Sequence, residues 1–316
     1  MSNSREGGLI PWVLFVVLTS IWGASFLFIK ISLETLPPLT VVALRVTLGA
    51  VLVWSLLLWR RISLRGIPWG MMLFMGLINN ALPFTLITWG ELHIPSGLAS
   101  LVNGAVPIFA AVLSHSMLRA ERLTRVQWLG VMLGFGGLVW LFLPDVWHAW
   151  QGLTTWYGVL GQLAVMTAAL CYAIGTVYAR KYLRSYDPFA MAATQLLWSA
   201  LLLWPLAWLA GSGLSREALT GRTLLAIGWL GFASSGLAYV IYYALVRYMG
   251  ATQVTMVTYL IPIVGLVLGA VVLDETIGWD VLVALALILS SIVIVHRVRR
   301  PEAHKPSPTA VRCAGR

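Results

Sequence analysis

The chain has 316 residues, 59% of them apolar and 10% charged, with a net charge of +10 and a mean hydropathy of +0.87. Soluble domains carry roughly a quarter charged residues, so this composition cannot furnish a water-facing globular surface. Long uninterrupted apolar runs exclude the strict alternation of a membrane barrel and predict an all-α integral membrane protein.

In chain order, the first apolar run follows eight residues that hold Arg5 beside Glu6. No small-residue cleavage site follows it, so it is expected to stay in the mature fold. Ten transmembrane helices are predicted at 9–29, 39–59, 67–89, 95–118, 126–143, 157–179, 188–210, 224–246, 251–273 and 277–295. Turn chemistry or charge separates them, at Pro37-Pro38, Arg60-Arg61, His93 to Pro95, Arg119 to Arg125 and Pro144-Asp145 in the first half. The second half breaks at Arg180 to Pro188, Gly211 to Arg222, Met249-Gly250 and Asp274-Glu275. A Pro- and Ser-containing stretch, 298–316, is expected to be a disordered cytoplasmic tail.

Most of the 21 Lys and Arg fall on one face of this map. They include Arg60, Arg61, Arg65, Arg122, Arg125, Arg180, Lys181, Arg184 and Arg247. Lys30, Arg216 and Arg222 lie on the other, and Arg45 sits inside a span. The asymmetry predicts cytoplasmic termini and explains the basic charge without nucleic acid. Trp12, Trp59, Trp69, Trp147, Trp150, Trp156, Trp208 and Trp279 stand near span ends, as an aromatic belt against membrane lipid requires. Cys171 in a span and Cys313 in the tail do not read as a disulfide.

The chain repeats itself. At an offset of 150, Pro38 falls on Pro188 and Trp54 on Trp204; at 155, Gly76 falls on Gly231 and Pro107 on Pro262. Five spans per half is an odd number, so the halves are expected to be inverted repeats, at 9–143 and 157–297, with a binding site between them near the midplane.

Specific motifs then add a family. Trp22-Gly23-Ala24-Ser25-Phe26 with Lys30, Arg45, and Glu121-Arg122-Leu123-Thr124 followed by Gln127, Gly130, Gly134 and Gly136 resemble the EamA-type branch of the drug/metabolite transporter (DMT) superfamily. Asp274-Glu275-Thr276-Ile277 resembles the same signature in the second half, although Leu282, Ala286 and Ser290-Ser291 replace its glycines. The resemblance implies a ten-helix basket around a central cavity, with the fifth and tenth helices peripheral. It also implies a multi-pass protein of a bacterial inner (plasma) membrane, and no enzyme.

Polar groups at bilayer depth are costly and face protein or water. The candidate substrate-binding residues are Trp22, Asn79, Asn80, Ser100, Asn103, Tyr172, Ser235, Tyr239, Thr255 and Tyr259. Each Ser or Thr can equally hold helices together, whereas the amides have more donors and acceptors to satisfy. Pro107 and Pro262 each free a backbone carbonyl and are candidate hinges, or static kinks. Arg45 either snorkels to the interface, anchors a carboxylate at the cavity mouth, or serves structure, which the resemblance favours. No His, Cys, Asp or Glu pattern suggests a metal or a catalytic group, no Walker motif suggests ATP, and no cofactor is expected. No Asp or Glu lies mid-span, which argues against a carboxylate proton relay. The predicted partner is a small neutral or zwitterionic metabolite with an apolar part. It would move by alternating access in an exporter of amino acids or related solutes. The alternatives are a drug-efflux carrier, an importer, or a non-transporting scaffold.

Overall fold

The computed structural model describes residues 9–118, 122–211, 217–249, 254 and 256–297. Glu121, Thr255 and the 298–316 tail lie outside them. Among the described residues every regular element is helical: α1 (Leu9–Leu33), α2 (Pro38–Trp59), α3 (Trp69–Gly90), α4 (Ser96–Met117), α5 (Arg125–Trp150), α6 (Tyr157–Tyr182) and α7 (Pro188–Leu209). Then come α8 (Gly221–Gly228, Trp229–Leu237 and Ala238–Met249 in succession), α9 (Val257–Leu273) and α10 (Trp279–Arg297). Eight of these, α1 to α8, are long and apolar enough to cross a membrane; α9 and the apolar part of α10 are shorter.

Local chemistry sets the boundaries. Pro38 and Pro188 open α2 and α7 at a position where no backbone N–H is needed. The Asp187 carboxylate accepts from the Phe189 and Ala190 amides at 2.9 Å. Thr124 and Gln127 cap α5 reciprocally. The turn residues Pro144-Asp145 predict an end to the fifth helix at 143, but α5 continues through Pro144 to Trp150. The Asp145 carboxylate accepts from Gln162 of α6, which removes the penalty that a lone acid would impose there.

Two helix pairs join each helix to its own repeat counterpart. Along α2 and α7, Trp54 Nε1 donates to the Ala193 carbonyl and Trp204 Nε1 to Thr47 Oγ1, both at 2.9 Å. Along α5 and α10, a Cβ added at Gly130, Gly134 or Gly137 would crowd Ile294, Ser291 or Leu287, so the missing side chains favour this close approach. The α1–α9 and α3–α6 contacts are equally close, with Gly23 against Val264 and Gly90 against the Gly161 carbonyl. The outward surface is apolar, and Trp12, Trp59, Trp147, Trp150, Trp208 and Trp279 are exposed near helix ends.

Three interruptions shape the interior. In α3 a π-helical turn spans Leu77–Ala81, where Leu82 N donates to the Leu77 carbonyl five residues back. Pro83 has no N–H for the Asn79 carbonyl, and the wider turn accommodates that loss. In α8 a longer π-helical stretch spans Trp229–Leu237, where Gly231 and Gly236 press on Leu48 and Leu52 of α2. These two stretches coincide under the 155-residue repeat. The third is a break in α4 at Gly104-Ala105, just before Pro107. Its counterpart differs: Pro262 sits inside an uninterrupted α9. The two candidate hinges are therefore unequal in local form.

Candidate functional site

The π-helical turns carry Asn79-Asn80 in α3 and Ser234-Ser235 in α8; the serines bond Arg45 of α2, and Asn80 joins the same group through Tyr239. Arg45 is 6% exposed, so it does not snorkel. Its Nε donates to Ser235 Oγ and its Nη2 to Ser234 Oγ, each at 3.0 Å. Its guanidinium carbon lies 3.8 Å from the centroid of the Phe84 ring, a cation–π contact. Ser234 and Ser25 hydroxyls are 2.7 Å apart. Ser25 gives its proton to the Ile21 carbonyl at 3.1 Å, so Ser234 must donate to Ser25. A directed chain thus runs from the guanidinium through two hydroxyls to the α1 backbone, with no negative charge in it.

Aromatic side chains close around this centre. Trp22 Nε1 donates to the Ser234 carbonyl at 3.2 Å, and its ring lies 6.0 Å from that of Tyr242. Tyr172 meets Phe84 edge-on at 6.4 Å. Tyr239 donates to Asn80 Oδ1 over 3.5 Å, and the hydroxyls of Tyr172 and Tyr239 both lie within electrostatic reach of Arg45. Asn80 is fully buried and its Nδ2 has no partner. Asn79 Nδ2 donates to Gln195 Oε1 at 3.3 Å, and its Oδ1 faces Gly175, where a side chain would crowd it.

Of the residues singled out from sequence, Trp22, Asn80, Tyr172, Ser235 and Tyr239 therefore converge on Arg45, with Asn79 beside them. Ser100 does not join them. Its hydroxyl donates to the Gly97 carbonyl at 2.7 Å and sits against Gly265 and the Pro262 carbonyl of α9, which is helix–helix packing. Asn103 lies just before the α4 break with its Oδ1 buried and unpartnered. Tyr259 packs on the large apolar core. Thr255 lies outside the described residues.

Three contributors stand outside the candidate set drawn from sequence: Ser234, Phe84 and Gln195. Ser234 was legible as the twin of Asn79. Gln195 falls on Arg45 at the 150-residue offset, its one signal in the sequence. Phe84 carries no sequence signal among so many aromatics.

A second polar group occupies the bundle end where α1, α3 and α9 finish and α4 begins. Glu91, in the turn after α3, is fully buried, and neither carboxylate oxygen has a partner. Lys30 Nζ donates to the backbone carbonyls of Glu91 and, at 3.0 Å, Ile94. Glu275 accepts from the Ser96 and Gly97 amides at 2.7 and 2.9 Å, capping α4 across the repeats. Nearby, Arg222 pairs with Glu34 at 3.3 Å and Thr223 with Thr35 at 2.8 Å. Glu91 is a buried acid that span counting assigned to a loop.

The profile of the EamA-like transporter family matches residues 10–143 and 159–297. The chain belongs to the EamA-like transporter family. It is 28% identical over 294 residues to an uncharacterized transporter of Archaeoglobus fulgidus, covering 91% of this chain and 99% of that protein. It is 27% identical to the uncharacterized inner membrane transporter YedA of Escherichia coli K12, over 87% of each chain. A probable amino-acid metabolite efflux pump of Salmonella typhimurium is 28% identical over 312 residues, covering 94% of this chain and 98% of that one. A solved crystal structure superposes with a TM-score of 0.65 over 92% of this chain and 99% of that one; at 21% identity it speaks to the fold alone. This EamA-family chain is a multi-pass membrane protein of the transporter class.

Proposed function

We propose that this EamA-family protein is a secondary transporter of a bacterial inner membrane that exports amino acids or related small metabolites by alternating access. Ten membrane crossings in two inverted five-helix halves would put both termini in the cytoplasm, the sense that the Lys and Arg asymmetry favours. The end of the bundle with Lys30, Glu91, Ser96 and Glu275 is then the outer one.

A single observation carries the reading. Repeat-matched π-helical turns, one from each half, bring polar side chains into one buried group between aromatic walls: Ser234 and Ser235 bond Arg45 directly, and Asn80 is linked to it through Tyr239. Widened turns of this kind recur at functional sites, and inverted repeats hold their solute at the junction of the halves near midplane. The outer cap and ion pair described above would close that end, leaving the cavity to open inward. The α4 break at Gly104-Ala105 and the proline at 262 supply candidate points of bending. The likeness to the Salmonella protein, a probable amino-acid metabolite efflux pump, supports amino-acid metabolites as cargo.

A radiolabelled amino-acid panel in proteoliposomes, with and without a pH gradient, tests this. Flux is expected for at least one solute. Asn80→Leu should cut that flux by about tenfold or more, since it removes a buried donor while roughly keeping volume. Asn79→Leu and Asn103→Leu serve as comparisons at the rim and at the α4 break. A scaffold would move nothing and would tolerate all three changes.

A further inference from the structure

Among the described residues, Arg45 is a formal charge deep in the helical bundle with no opposite charge within ion-pairing distance. Its partners are two serine hydroxyls and an aromatic face, all neutral. Among the described residues no carboxylate lies within ion-pairing distance of it, and Glu91 reaches it only at longer range. A guanidinium has five N–H donors. The two serines take one each, leaving three without a hydrogen-bond acceptor among the described residues. The adjoining Asn80 Nδ2, also buried, is a further unused donor. An uncompensated charge and surplus donors, held together in the interior of a helical bundle, are costly to maintain.

A structural arginine in a membrane bundle is expected to meet an acid or a row of carbonyls. This one is instead held in place by neutral hydroxyls, with its charge unspent. We infer that Arg45 is the anchor for the carboxylate of the transported solute, so that the cargo is a monocarboxylic metabolite such as an amino acid. The inference rests on the transport reading and deepens it.

One buried positive charge balances one negative charge, so a dianion such as a phosphate ester would leave charge uncompensated. A cationic amine would meet repulsion. The fork geometry of arginine receives the two oxygens of a carboxylate side by side. Asn80 Nδ2 is positioned as an auxiliary donor, and Trp22, Phe84, Tyr172, Tyr239 and Tyr242 form the wall for an apolar side chain. The Phe84 ring and the two serines keep the guanidinium in place when the site is empty.

Detergent-purified full-length protein is the material for the test, read as the shift of its thermal unfolding midpoint with ligand. The probes are L-phenylalanine, 3-phenylpropionate, 2-phenylethylamine and phenyl phosphate, which share a ring and differ in charge. The two carboxylates are expected to stabilise the protein, and the amine and the phosphate to do so weakly or not at all. Arg45→Met should weaken carboxylate binding by at least about 30-fold, and Arg45→Lys by less, because it restores charge without the fork. The wild-type probe series decides the matter by itself if Arg45→Met does not fold. Equal stabilisation by the amine and the acids, no stabilisation by either acid, or carboxylate affinity in Arg45→Met within about threefold of wild type would overturn the anchor. Carboxylates that bind to wild type but never cross a proteoliposome membrane would leave the anchor standing and sink the transport reading instead.

Discussion

Glu91→Gln is expected to stabilise the protein, and to do so more as the pH rises. Glu91 is wholly buried with both carboxylate oxygens unpartnered. Burial pushes its carboxyl well above the usual carboxylate range; the Glu275 charge adds to this, while Lys30 of α1 and Arg45 of α2 oppose it. The sign follows from linkage. In the unfolded chain the group ionises near its ordinary value, whereas in the fold it holds its proton to a higher pH. Below the ordinary value the two states bind the proton equally and the group costs nothing. Above it the unfolded state gains by ionising, so the fold loses stability until the pH passes the raised folded value. Thermal unfolding midpoints of wild type and Glu91→Gln should therefore coincide near about pH 4 and separate steadily towards about pH 8, with the variant higher. A constant gap, or one that narrows with pH, would mean that Lys30 holds Glu91 ionised in the fold. The same buried acid revises the argument against proton coupling. A flux that depends on a pH gradient in wild type and loses that dependence in Glu91→Gln would assign the coupling to it.

The second large effect is expected at Glu275. Asp274 ends α9 in the left-handed region, with φ of 55°, which reverses the chain and carries Glu275 back across to α4. There its carboxylate receives the first two amides of α4, groups with no partner within that helix. Gly97 and Gly269 leave the room it occupies, since a Cβ on either would meet its Oε2. Hydrogen bonds to a charged group are each worth about 1.5–3 kcal/mol, and a negative charge also suits a helix N-terminus. Glu275→Ala should thus cost roughly 3 kcal/mol, read as a lower unfolding midpoint in detergent. Under the transport reading it should also slow flux, because the outer end no longer latches. Glu275→Gln keeps one acceptor and should fall between the two. Unchanged stability in Glu275→Ala would show that water satisfies those amides just as well.

These residues also show what could be read beforehand. The apolar runs marked the helices because a backbone in lipid leaves no other choice. The prolines at 38 and 188 marked helix starts, since proline fits only the first turn. Asp145 misled: a proline followed by an acid signals a turn in water, yet α5 runs through it because Gln162 satisfies the acid. Ser100 looked like a binding residue by its spacing, and spacing cannot tell a cavity-facing hydroxyl from one bonded to its own helix. Glu91 was placed in a loop because it follows the last apolar residue of its span. Its burial depends on how closely Gly90 and Gly161 let α3 and α6 approach, which is a matter of tertiary packing. At the 155-residue offset Asn79-Asn80 falls on Ser234-Ser235, so the repeat marks them as twins. The widened turns that carry them coincide with the missing N–H of Pro83 in one half and with glycine contacts on α2 in the other.

Under the transport reading, the space around Arg45 is a solute pocket reached from each side of the membrane in turn. Ser235→Cys, in a chain with Cys171 and Cys313 replaced by serine, places a small thiol at its wall. A membrane-impermeant thiol reagent, applied to oriented vesicles from one face or the other, should label that cysteine from both faces, and a bound amino acid should slow the labelling. A thiol that reacts from neither face would mean that these helices pack solid where the pocket is placed.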